Sequence, residues 1–192
     1  MSDHKIPSDC YWTAHQQDGQ VYDLSHLHPF DLTVTQSASG DKPARAYEFI
    51  VLFSIHCFTR DKYDNEIVPE EYFYSDNRHT RVFCSIRHEL SFKLPDIVKN
   101  AEKKKVLNTG KGNFLIIDII DENGNITEYE MYFSVSRSGK QKGKLNFYVE
   151  SAYPRTTGER EKHLTPIRLH ILAFKTLNNQ PIKTNAHKKS HR

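Results

Sequence analysis

Cysteine is scarce: only Cys10, Cys57 and Cys84 occur, widely spaced and without a Cys-x-x-Cys pair. That odd, scattered set excludes a disulfide framework, and in an apolar stretch a free cysteine behaves as a small hydrophobe. Long apolar runs are missing as well. The run around Ile50-Val51-Leu52-Phe53 is far shorter than the roughly 20 residues a membrane helix needs, so no membrane association is expected. The opening residues, Met1-Ser2-Asp3-His4-Lys5, lead into polar sequence without the apolar core of a secretory signal. A cytoplasmic location is therefore expected. Charge of one sign is in only slight excess, +3, too little to announce nucleic-acid binding by itself.

Signature motifs are equally sparse. Eleven histidines invite a metal hypothesis, with His26, His28, His56, Cys57, His79, Cys84 and His88 as possible ligands. None has the paired spacing of a zinc site, and His-Glu-x-x-His does not occur. On a strand, His56 and Cys57 point to opposite faces and grip one ion poorly. No metal and no cofactor are expected. Thr109-Gly110-Lys111-Gly112 follows a helix rather than a strand, which excludes a phosphate loop. The hydrolase elbow Gly-x-Ser-x-Gly is absent.

Aromatic side chains are abundant, 11 Phe and 10 Tyr, and lean the chain toward β structure. Residues 1–45 read as irregular. Tyr47 to Phe58 is the strongest strand signal, apolar on one face and nearly so on the other, as in a strand covered on both sides. Residues 59–80 read as a long connection, and 81–92 as either a second strand or a helix lead-in. Leu94 to Lys104 predicts a helix: Pro95 suits its first turn, Asp96 its positive end, and Leu94, Ile97, Val98 and Ala101 form a stripe.

Asn123-Gly124 then closes a hairpin of 113–122 and 125–137, pairing Ile116 with Met131 and Phe114 with Phe133. Leu145 to Tyr153 continues the sheet, with Ser151 and Tyr153 on the face of Phe147 and Val149. Ile167 to Phe174 alternates like a final strand, although Thr165-Pro166 also opens a helix well. The expected fold is α+β: an antiparallel meander of three or more strands, one main helix and a long N-terminal strand. Residues 1–182 form one domain and 183–192 a flexible basic tail.

Two segments carry candidate chemistry. Residues 78–91 hold Arg78, Arg81 and Arg87 with His79 and His88. Guanidinium forks bind phosphates, and imidazole moves protons near neutral pH, which together suit metal-free RNA cleavage. The plainer reading is surface pairing with Asp76, Glu89 and Asp96. In the second segment, Ser151, Tyr153, Arg155 and Thr156 emerge at a strand end beside a loop, where a sheet can hold polar groups rigid. His56 is a further acid–base candidate. Lysine clusters at 99–111 and 137–144 and in the tail add basic edges.

The order Arg87-His88, a helix opening at Leu94-Pro95-Asp96-Ile97, an antiparallel meander and Val149-Glu150-Ser151-Ala152-Tyr153-Pro154 resembles the Barnase–EndoU–Colicin–RelE superfamily of small ribonuclease folds. The resemblance covers about residues 81–157. It implies a metal-independent endoribonuclease of toxin or host-defence type, acting on RNA and open to a protein antitoxin or inhibitor. Arg87, His88, Ser151 and Tyr153 would line its active site, with Arg81 as phosphate clamp and Arg78, Arg155 and Thr156 as further RNA contacts. The rival expectation is a non-catalytic binding module for a protein partner or nucleic acid. A third is a small-ligand domain with a pocket against the sheet.

Overall fold

The computed structural model describes residues 10–41, 43–122, 125–155 and 164–183. The N-terminal stretch is more ordered than its composition suggests. β1 (His15–Gln17) and β2 (Gln20–Tyr22) form a hairpin. Asp18 and Gly19 both take positive φ, the turn that matches right-twisted strands. A 3-10 turn at Ser25–Leu27 leads into β3 (Phe30–Gln36), antiparallel to β4 (Arg45–Phe53). The long strand is thus neither N-terminal nor continuous to Phe58. It stops because Ser54 caps a 3-10 turn, its hydroxyl accepting from the His56 N–H at 3.2 Å.

Residues 59–80 are not one long connection either. β5 (Thr59–Arg60), β6 (Phe73–Ser75) and β7 (Thr80–Phe83) form a small sheet in the order β5-β7-β6. α1 (Ser85–Ser91) follows at once, so 81–92 is half strand and half helix. The expected Leu94–Lys104 helix is shorter: α2 (Leu94–Lys99), a 3-10 turn at Ala101–Lys103, then β8 (Val106–Asn108). Val106 is wholly buried, and strand pairing to the next element outweighs the lysine-rich helix continuation.

β9 (Phe114–Glu122) and β10 (Asn125–Arg137) pair in the register expected, Ile116 with Met131 and Phe114 with Phe133. The Asn123-Gly124 turn itself lies outside the described residues. β11 (Leu145–Pro154) pairs antiparallel with β10 and parallel with β4. β12 (Thr165–Ile167) is antiparallel to β8. The protein is therefore α+β with mostly antiparallel strands, but the main sheet runs β12-β8-β9-β10-β11-β4-β3 and is mixed, not a simple meander.

The expected last strand is instead mostly α3 (Leu169–Leu177), the longest helix among the described residues. Leu169, Leu172 and Ala173 are buried at helical spacing, which beats the short alternation of Ile167, Leu169 and Ile171. Phe49, Val51, Phe133, Phe147 and Val149 pack with Leu94, Val98 and Leu172 in one core. Among the described residues no helix is long and apolar enough to cross a membrane.

Candidate functional site

A one-residue irregularity redirects the strand end. Tyr132 pairs with Ser151 and Phe133 with Val149, leaving Glu150 unpaired as a bulge. A bulge shifts side-chain parity. Ala152 consequently turns into the core, while Ser151 and Tyr153 move to the face opposite Phe147 and Val149. Their expected placement is corrected by this bulge.

On that outer face Tyr153 stacks on Tyr132, ring centroids 5.7 Å apart. Tyr132 donates its hydroxyl to Glu130 at 3.0 Å, and Arg155 donates to the other oxygen of the same buried carboxylate at 3.1 Å. Burial and these hydrogen-bonded neighbours raise the Tyr132 phenol far above its ordinary range. Ser151 is half-buried beside Tyr132, and Thr156 lies outside the described residues.

Arg87 reaches this cluster from α1. Its guanidinium carbon lies 5.5 Å from the Tyr153 ring centroid, and Nη1 donates to the carbonyls of His56 (3.1 Å) and Thr59 (2.9 Å). Arg81 is buried, donates to the Thr59 hydroxyl at 2.9 Å and pairs with Asp61. Two of the four candidate arginines thus converge on Thr59. Arg78 is exposed at the β6–β7 turn, where Asp76 accepts from its N–H at 2.8 Å.

His56 sits edge-on to His79, centroids 5.3 Å apart. Burial first, and the Arg81 charge second, push its pKa down to about 4, so it is neutral at pH 7. His88 goes elsewhere. Neighbouring positions on a helix diverge by about 100°, and His88 donates to the Asp23 carbonyl at 2.7 Å among Tyr22, His26, Phe83 and Phe92. The fold brings together Arg81, Arg87, His56 and Tyr153, with Arg155 one residue pair away, and separates His88 from them.

The arginine donors in this cluster serve the fold. Arg87→Ala is expected to lower stability by about 2 kcal/mol, chiefly because two inward carbonyls lose a charged donor. Urea midpoints check this, and a change below about 0.5 kcal/mol, the scale of an ordinary surface substitution, would leave Arg87 without that structural role.

A different surface gathers uncommitted charge. β8, β12 and α3 border a groove of about 490 Å³ whose rim carries Lys104, Lys105, Arg168, Lys175 and Lys183. Ile167, Ile171 and Ile182 line it. Lys104 is paired with Asp118 at 2.7 Å, and Lys175 donates to the Pro181 carbonyl at 3.1 Å. Lys105, Arg168 and Lys183 have no ion-pair partner among the described residues. The hairpin-tip cations Arg137, Lys142 and Lys144 lie on another flank of α3, around Leu177. Lys104, Lys105 and Lys183 belong to basic clusters visible in the sequence, but their meeting with Arg168 and three isoleucines carries no sequence signal. Among the described residues no group of three or more His, Cys, Asp or Glu side chains is placed to hold a metal ion.

Comparison with known proteins matches the YjaZ family over residues 13–177, nearly the whole described fold. The chain belongs to the YjaZ family. Protein YjaZ of Escherichia coli (strain K12) is 28% identical over 168 residues, covering 86% of this chain and 89% of that protein. No solved structure matches the chain. The family span takes in both the strand-end cluster and most of the groove, ending at Leu177 with α3.

Proposed function

We propose that this YjaZ-family protein is a non-catalytic binding module, whose groove between β8, β12 and α3 holds an acidic segment of a protein partner bearing an aliphatic anchor. The make-up of the groove carries this reading: a basic rim over isoleucines, with no aromatic side chain among its described lining residues. Proteins that hold single-stranded nucleic acid combine cations with aromatic platforms for the bases. An apolar floor with a charged rim is instead the layout of a protein interface, where the buried anchor supplies affinity and the rim steers.

The strand-end cluster supports binding over cleavage. Metal-free RNA cleavage needs a proton acceptor and a proton donor around a phosphate held by cations. Here Arg81 and Arg87 spend donors on Thr59, Asp61 and backbone carbonyls, and His88 faces another compartment.

A labelled acidic peptide with one central isoleucine is expected to bind the full chain. Ile171→Asp weakens that binding by about tenfold or more, and added salt weakens it further. Total RNA incubated with the protein in chelator keeps its length distribution. RNA fragments, or RNA binding with a steep salt slope while the peptide fails to bind, would defeat the proposal.

A further inference from the structure

We infer that the groove's partner is a second copy of this chain, which inserts its own 61–71 loop with Ile67 foremost. This rests on the reading that the groove takes an acidic, aliphatic segment.

The loop has that chemistry. Asp61, Asp64, Glu66, Glu70 and Glu71 stand there against a single Lys62. From it Ile67 projects with 97% of its surface exposed. A scattered exposed aliphatic is ordinary, but this one is held out on a braced support. Arg60 clamps both Glu66 oxygens and lies 4.5 Å from the centroid of the Tyr63 ring. Glu66 also accepts from the Tyr63 N–H at 3.0 Å, and Asn65 turns the chain at a φ of 60°. Beyond the loop, Tyr72 donates to the Asp18 carboxylate at 2.8 Å. Such bracing removes in advance much of the ordering entropy that binding otherwise costs.

The groove is the complement in both charge and polarity. Lys105, Arg168 and Lys183 offer uncommitted cations to Asp64, Glu70 and Glu71, the loop carboxylates not already held by Arg60 or Arg81, and Ile171, itself 40% exposed, offers an aliphatic bed for Ile67. The loop joins β5 to β6 in the small sheet, whereas the groove borders β8, β12 and α3 of the large one. Two different surfaces therefore meet between molecules. Such head-to-tail contacts build rings when the rotation closes and filaments when it does not.

Sedimentation velocity on the full chain over a dilution series tests this. At low salt the sedimentation coefficient rises with concentration, and at high salt it returns to that of a monomer. Ile67→Asp and Ile171→Asp each weaken self-association about thirtyfold or more, as loss of a central anchor does. Mixing the two variants restores a pair that stops at two chains, because one intact loop meets one intact groove. Where Ile171→Asp fails to fold, Lys105→Glu, on an exposed side chain, replaces it.

Self-association unaffected by both variants, or an equimolar mixture that stays monomeric, overturns the inference. A wild-type chain that is monomeric throughout overturns it too. If the acidic peptide still binds such a monomer, the groove reading survives and only the self-docking fails. If neither occurs, both fall.

Discussion

Phe147→Ala lowers the free energy of unfolding by about 4 kcal/mol, the scale for truncating a fully buried aromatic. Phe147 has no exposed surface and lies on β11 between the two strands that β11 joins. Its ring stacks on Phe133 of β10, centroids 4.2 Å apart at 7°, and meets Phe49 of β4 edge-on at 6.2 Å. Alanine leaves a void beneath both neighbours, and the loss of aromatic pairing adds to the loss of buried area. Urea unfolding reads the change. A loss under about 1 kcal/mol would mean that β4 and β11 do not share this core.

Acid gives the second large effect. His26 donates from Nε2 to the Ser91 hydroxyl at 2.7 Å, since that hydroxyl is itself given to the His88 carbonyl at 2.6 Å. Its Nδ1 is buried without a partner, and Phe92 stacks on the ring at 3.9 Å. A proton added at Nδ1 finds no acceptor. Burial, then the nearby His88, lower His26 to about 4, against a partial counterweight from Asp23. His56 is lowered to about 4 by burial and then by Arg81.

Both rings are held neutral in the native state but protonate near 6.5 once unfolded. The unfolded chain therefore binds more protons in that window. Stability is full above 6.5 and is lost as pH falls toward 4. Because both rings are only half-buried, roughly 2 kcal/mol each is expected rather than the full shift. Asp23 and Asp61 are lowered by their hydrogen-bond donors, Ser25 and Arg81, so their contributions fade only below the ordinary carboxylate range. Urea midpoints at about pH 7.5 and pH 5 measure the slope, and His26→Gln with His56→Gln flattens it. An unchanged midpoint across that interval would remove both histidines from the acid response.

The hairpin shows what was legible in advance. Reading Asn123-Gly124 in the sequence as a two-residue turn gives the pairs Ile116–Met131 and Phe114–Phe133 by counting outward, and the strands pair in that register. The bulge at Glu150 was not legible, because no glycine or proline marks it, and Tyr153 changed faces with it. Arg87 and His88 are adjacent in the chain, and their separation follows from helical rotation once 85–91 is known to be helix. The Leu169–Leu177 helix announced itself through Leu169, Leu172 and Ala173, but the overlapping two-residue alternation matched a strand as well.

By itself the sequence determined the α+β class, the strand-rich core and the local pairs that a turn or helix start dictates, because these depend on near neighbours along the chain. Only the tertiary structure decided that β4 lies parallel to β11 across nearly a hundred residues. It alone also committed Arg81 and Arg87 to Thr59, and drew distant lysines around three isoleucines. Such long-range meetings are set by which buried faces fit together, a property that no short window of residues contains.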